Sequence, residues 1–198
     1  GRRHRPAPDH GVQAGALGHF LGRLDLDLGA DGRVVAHGAE LAEIGPDLPE
    51  DAGAKAVVAR FAAPLAALRA RPVATAALAL DNGACRAGEC AIGNLIAEAM
   101  LAAVPTADVA LQNGGGIRTG LPAGAITYGD VLAVLPFGNT LATAVVRGAH
   151  LLAALENGLS QPGGGRFPQV AGLRLVVDLA APPGQRILSA EVTQGAVS

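Results

Sequence analysis

Three consecutive glycines, Gly114–Gly116, held between Asn113 and Arg118, constrain this chain more than any other feature. They follow the apolar stretch "ADVALQ" and precede "ITYGD", so they sit where a buried strand turns toward a helix. Glycine lets the main chain adopt positive φ and lets another group approach without a Cβ in the way. Successive N–H groups in such a turn can converge on an anion, and an arginine supplies a permanently charged fork suited to phosphate or carboxylate oxygens. The plain alternative is a tight turn whose arginine faces solvent. The spacing is not that of a P-loop or of a dinucleotide fingerprint.

The remaining periodicity predicts an α+β chain in which a mixed β-sheet carries packed helices. "GVQAGALGHFLGRLDLDL" (11–28) ends in apolar alternation and predicts a strand; "GADGR" turns into a second strand, "VVAHGAEL". Residues 49–68 place Val57, Val58, Phe61, Leu65 and Leu68 at helical spacing, with a restart at Pro64. "PVATAALAL" (72–80) predicts the first strand of a second unit, and "CAIGNLIAEAMLAAV" an amphipathic helix stopped by Pro105. Thr127 and Asp130 fit a capping box. Beyond it, "TLATAVV" predicts a strand, "GAHLLAALENGL" a helix, "QPGGGR" a mobile loop, and "LRLVVDL" and "ILSAEV" two strands joined by "APPGQ".

Charge and hydropathy exclude several function classes. The net charge is −2, Lys55 is the single lysine and the arginines are scattered, so nothing forms a basic footprint for nucleic acid. Arg60, Pro64, Arg69, Arg71 and Pro72 interrupt the most apolar region, leaving no stretch of the roughly 18 to 20 residues that a membrane span requires. The opening Gly1 reads as the start of a fragment. Cys85 and Cys90, in "CRAGEC", are close enough to close a small loop; a disulfide is expected, with free thiols the alternative. One pair of cysteines cannot complete a tetrahedral zinc site.

The segment "NGGGIRTGLPAGAITYGDVLAVLPFGNTL" resembles the signature of the C-terminal domain of the 5'-nucleotidase family, whose members include UDP-sugar hydrolases and ecto-5'-nucleotidases. "CRAGECAIGNLIAEAM" and "GRFPQVAGLRLVVD" resemble two further motifs of that domain, in the same order. The resemblance covers about residues 72–198, and it implies a domain truncated at its C-terminus. Residues 1–48 are similar to the end of the metallophosphatase domain that precedes it in the family, and 49–71 then form a connecting helix.

What the resemblance implies is the substrate-binding part of a phosphoric-ester hydrolase that releases phosphate from nucleoside phosphates, inactive alone. Arg86 and Arg118 match phosphate-gripping arginines, Asn113 an asparagine near the ribose, Phe137 a base-stacking aromatic, and Gly115 and Gly116 belong to the cradle. Each has a bland rival: Arg86 an exposed loop charge, Asn113 a turn former, Phe137 a core residue. The same resemblance implies a divalent metal pair, such as zinc or manganese, in the missing N-terminal domain, and a periplasmic, cell-surface or secreted location. A cyclic-nucleotide phosphodiesterase, a UDP-sugar hydrolase or a non-catalytic nucleotide-binding remnant are the alternatives; Phe137 disfavours the family's thiosulfate-ester substrates. No metal is expected on this chain: in "GRRH" only His4 resembles a ligand of the family's last metal motif, and His10, His19, His37 and His150 lack ligand spacing. Nothing in the sequence fixes an oligomeric state or a preferred nucleotide.

Overall fold

A computed structural model describes residues 13–15 and 18–193. The chain divides into two compact units, with the division between Ala62 and Ala63. The expectation for His4 and His10 lies outside the described residues.

In the first unit, β1 (Phe20–Leu28) and β2 (Val34–Glu43) form an antiparallel hairpin, in register from Phe20 opposite Glu43 to Asp27 opposite Ala36, with a shift before Leu28 pairs with Val34. The glycine-rich turn closes through Gly29 N–H donating to the Arg33 carbonyl at 2.8 Å. Helix α1 (Ala52–Ala62) starts where the Asp51 carboxylate accepts the Ala54 N–H at 2.7 Å, satisfying one of the donors that a helix start leaves open. No residue of β1, β2 or α1 is buried, so both faces of the hairpin are open and its apolar side chains are exposed.

The second unit opens with a 3-10 turn at Ala63–Leu65 and a short helix, α2 (Ala66–Arg69). The restart at Pro64 follows from its missing N–H and its clash with the preceding turn. Four elements then frame the site: β3 (Pro72–Ala76), α3 (Ala91–Ala103), β4 (Ala110–Asn113) and β5 (Gly124–Thr127). Helices α4 (Tyr128–Val134) and α5 (Gly148–Leu159) follow, and β6 (Pro168–Ala171), β7 (Leu173–Val177) and β8 (Ile187–Val192) complete the described chain. The strands pair antiparallel as β3 with β5, β4 with β6, and β7 with β8. The class is therefore α+β as expected, built from small antiparallel ladders among helices.

Two clusters hold this unit together. Cys85, Cys90, Ile92, Ile117 and Val134 pack with Leu80, Ile96 and Leu121, cementing the start of α3 to the turn after the glycines and to the end of α4. Full burial of Ile92 and Ile117 contributes about 1.5–3 kcal/mol each. The second cluster is small: Ala97, Ala110 and Ala171, with Met100 and Leu101 beside them, let α3 lie close on the β4–β6 ladder.

Thr127 caps α4 as its spacing predicts. Its hydroxyl accepts the Asp130 N–H, while the Asp130 carboxylate accepts the Thr127 N–H at 2.8 Å and the Thr127 O–H at 2.7 Å. Those two bonds, the hydroxyl's first, hold the Asp130 carboxyl below its ordinary pKa.

Two expectations require correction. "TLATAVV" (140–146) forms no strand; it finds no partner edge, and Val145 is fully exposed, because apolar β-branched residues favour a strand only where a neighbour satisfies their backbone. The strand expected over 72–80 stops at Ala76, although Leu80 exchanges two 2.9 Å backbone bonds with Leu121. The loop over 161–166 is tied to its neighbours by main-chain bonds: Gly163 N–H donates to the Arg86 carbonyl at 2.7 Å, and the Gly165 carbonyl accepts the Gly115 N–H at 2.8 Å.

Candidate functional site

The glycine turn sits where β4 ends. Asn113 lies opposite Pro168 in the β4–β6 register, and the next residue, Gly114, donates its N–H to the Phe167 carbonyl at 2.8 Å. Gly114 packs against the main chain of the 85–90 loop so closely that a Cβ would fall 1.8 Å from the Cys85 carbonyl oxygen. Gly115 meets Gly165 in the same way, main chain on main chain, with a virtual Cβ 2.8 Å from the Gly165 carbonyl oxygen. The glycines are therefore required by close approach, and their N–H groups serve the fold. Gly114 and Gly115 donate to protein carbonyls, which withdraws both from the expected cradle of amides.

One guanidinium group borders each member of the packed Gly115–Gly165 pair. Arg86 Nη1 lies 3.8 Å from the Cβ position of Gly165, the residue that packs on Gly115. From the other direction, Arg118 Nη1 donates to the Gly115 carbonyl at 3.4 Å. Both arginines are exposed, and among the described residues neither has an ion-pair partner. Permanent cations beside each of two packed glycines, with no carboxylate partner, make this edge attractive to an anion.

The start of α4 and its end explain how Phe137 joins them. The Arg118 N–H donates to the Val134 carbonyl at 2.9 Å, in the last turn of α4, and Pro136 then ends the helix. This brings the Arg118 guanidinium 5.9 Å from the centroid of the Phe137 ring. Phe137 is 58% exposed, which leaves ring surface free beside the cation.

Asn113 lies at the same edge, but its amide is engaged: Nδ2 donates to the Gly165 carbonyl at 3.1 Å, and Oδ1 accepts from Gln112 Nε2 at 3.3 Å. Gly116 is buried behind the turn. Arg86 is carried by a loop closed by the Cys85–Cys90 disulfide, so the cysteines are paired as expected. Sequence reasoning missed Gly165 and Gln169, both in "GGGRFPQ". The one available signal was glycine repetition in two well-separated segments, since backbone-to-backbone packing needs a residue without Cβ on each side.

A groove of about 1380 Å³ lies elsewhere on this unit, lined among others by Glu98, Leu101, Asp108, Val170, Arg174 and Leu175. It includes none of Arg86, Arg118 or Phe137, and its charged lining is mainly acidic, with Glu89, Glu98 and Asp108 against Arg174. The described residues bring together no group of three or more His, Cys, Asp or Glu side chains that fits a metal ion, and no chemical step is assigned to a metal on this chain.

The chain is similar to known proteins along most of its length. Residues 71–197 match the family model "5'-nucleotidase, C-terminal domain". The chain is 39% identical over 190 residues to the trifunctional nucleotide phosphoesterase protein YfkN of Bacillus subtilis, covering 91% of this chain and 13% of that protein. It is 32% identical over 197 residues to the 5'-nucleotidase of Bos taurus, covering 91% and 34%. Among solved structures, a 5'-nucleotidase precursor from Thermus thermophilus superposes with a TM-score of 0.76 at 42% identity, covering 91% of this chain and 37% of that one. The chain thus spans about a third or less of the two curated relatives it matches here.

Proposed function

Because the chain belongs to the 5'-nucleotidase family, through that family's C-terminal domain, we propose that it supplies the substrate-binding part of a nucleotide phosphohydrolase. Arg86, beside Gly165, and Arg118, beside Gly115, hold the phosphate as charge-assisted forks. Phe137 offers its exposed face to the base, and base-on-aromatic stacking is worth about 1–3 kcal/mol. Asn113, Gly115 and Gly116 shape the wall of the site, with Asn113 fastening the 161–166 loop to it. The single observation that carries this reading is that guanidinium groups without ion-pair partners border both members of the packed Gly115–Gly165 pair, with an exposed ring next to one of them.

The division of the chain fits a binding role. Within the proposal, residues 1–48 are the end of a preceding domain and 49–71 the connection, while hydrolysis depends on parts of the intact protein outside this chain. The Cys85–Cys90 disulfide supports a periplasmic, cell-surface or secreted setting, where such bonds persist.

Titration of the 198-residue chain with a nucleoside 5'-monophosphate tests the assignment. Arg118→Ala should weaken binding by about 1.5–3 kcal/mol, roughly ten- to 150-fold in Kd. An unchanged Kd rejects the phosphate role of Arg118.

A further inference from the structure

Among the described residues, Gln169 is the one polar side chain in the buried set, 1% exposed on β6. Burying an amide in apolar surroundings is unfavourable unless its donors and acceptor are matched. Here all three bonds go to the main chain of one loop. Nε2 donates to the Cys85 carbonyl at 3.0 Å and to the Gly88 carbonyl at 2.8 Å, and Oε1 accepts the Cys90 N–H at 3.1 Å. Gly93 leaves the room for it: a Cβ there would fall 2.3 Å from Oε1.

That loop carries Arg86 and has no strand partner to fix it. Gln169, meanwhile, is in register with Gln112 on β4, one residue before Asn113 and two before the glycine turn. The same strand therefore holds one half of the anion grip through its ladder and the other half through a side chain. We propose that Gln169 is a positioning residue for the phosphate grip, setting the separation of Arg86 from Arg118 without touching the ligand. This inference rests on the binding role proposed above.

The test is a double-mutant cycle on the full chain, with Kd for a nucleoside 5'-monophosphate as readout and denaturation midpoints measured in parallel. Arg86→Ala is expected to raise Kd about tenfold, and Gln169→Met, close in shape but lacking both donors, about fivefold. In the Arg86→Ala background, Gln169→Met should change Kd by less than about twofold, because its effect runs through that arginine. Additive losses overturn the inference, as does a Gln169→Met protein of unchanged affinity. If Arg86→Ala itself leaves Kd unchanged, it is the binding role that fails. Should Gln169→Met not fold, the unaltered protein still decides: the Gln169 side-chain NH2 resonances should shift on nucleotide addition and saturate with the same Kd as the Arg86 N–H, and resonances that stay fixed overturn the proposal.

Discussion

Replacing Gly114 with alanine probes the closest backbone approach at the site. An added Cβ would fall 1.8 Å from the Cys85 carbonyl oxygen and 3.1 Å from the Arg86 nitrogen. A carbon–oxygen contact needs about 3.3 Å, so the two segments must part by more than an ångström. No flexible side chain tip can yield instead, since every atom met is main chain. Overpacking of this kind costs about 1–3 kcal/mol. The same movement strains the 2.8 Å bond from Gly114 to Phe167 and the 2.7 Å bond from Gly163 to Arg86, each worth about 0.5–1.5 kcal/mol net. The expected loss is about 3 kcal/mol, which lowers the melting temperature of a chain this size by about 6–12 °C. Because Arg86 moves with the loop, nucleotide affinity should fall about tenfold, or about 1.4 kcal/mol. Gly148→Ala is the control: nothing lies within 4 Å of its Cβ position, its φ is not positive, and it opens α5. Thermal denaturation followed by circular dichroism, with calorimetric titration of a nucleoside 5'-monophosphate, measures both effects. A Gly114→Ala protein that melts within a degree of the parent and binds equally well refutes the close-approach argument.

Three other outcomes are expected. Cys85→Ser with Cys90→Ser removes a small loop closure and should lower stability by about 2 kcal/mol in chemical denaturation, with weaker nucleotide binding because the Arg86 loop loosens. Phe137→Ala should weaken nucleotide binding by about 1–3 kcal/mol and leave inorganic phosphate binding and the melting temperature unchanged, since the ring is exposed. The Thr127–Asp130 box predicts a pH effect: the folded carboxyl titrates below its ordinary value, so its contribution is present above pH 3.8 and disappears as the pH falls through the folded pKa. Asp130→Asn should therefore melt below the parent near neutrality, and the gap should narrow with acidification below pH 3.8; a constant gap contradicts the linkage.

Local rules made much of this legible in the sequence. The Thr127–Asp130 box, the period of α3 and the hairpin turn at 29–33 each depend on residues within a few positions of one another. Arg86, Arg118 and Phe137 were found through motif resemblance; the structure sets Phe137 beside Arg118, and Arg86 beside Gly165, which packs on Gly115. What stayed hidden is non-local. Nothing near residue 140 announces that its apolar run lacks an edge to join, and nothing near Gln169 announces a loop about 80 residues earlier in the chain. The commitment of the Gly114 and Gly115 N–H groups was equally invisible, because their acceptors lie in the 165–167 segment.

The sulfur atoms that close the Arg86 loop belong to residues almost sealed from solvent, Cys85 at 0% and Cys90 at 7% exposure. A thiolate must reach a sulfur along the bond it attacks, so a reductant in solution has no direct line to this one. Cleavage then has to wait for a local opening of the packed cluster around Ile92 and Ile117. In a reducing milieu, the lifetime of the loop is accordingly a reading of how often the domain breathes, with reductant concentration setting the pace only once that opening is no longer the slow step.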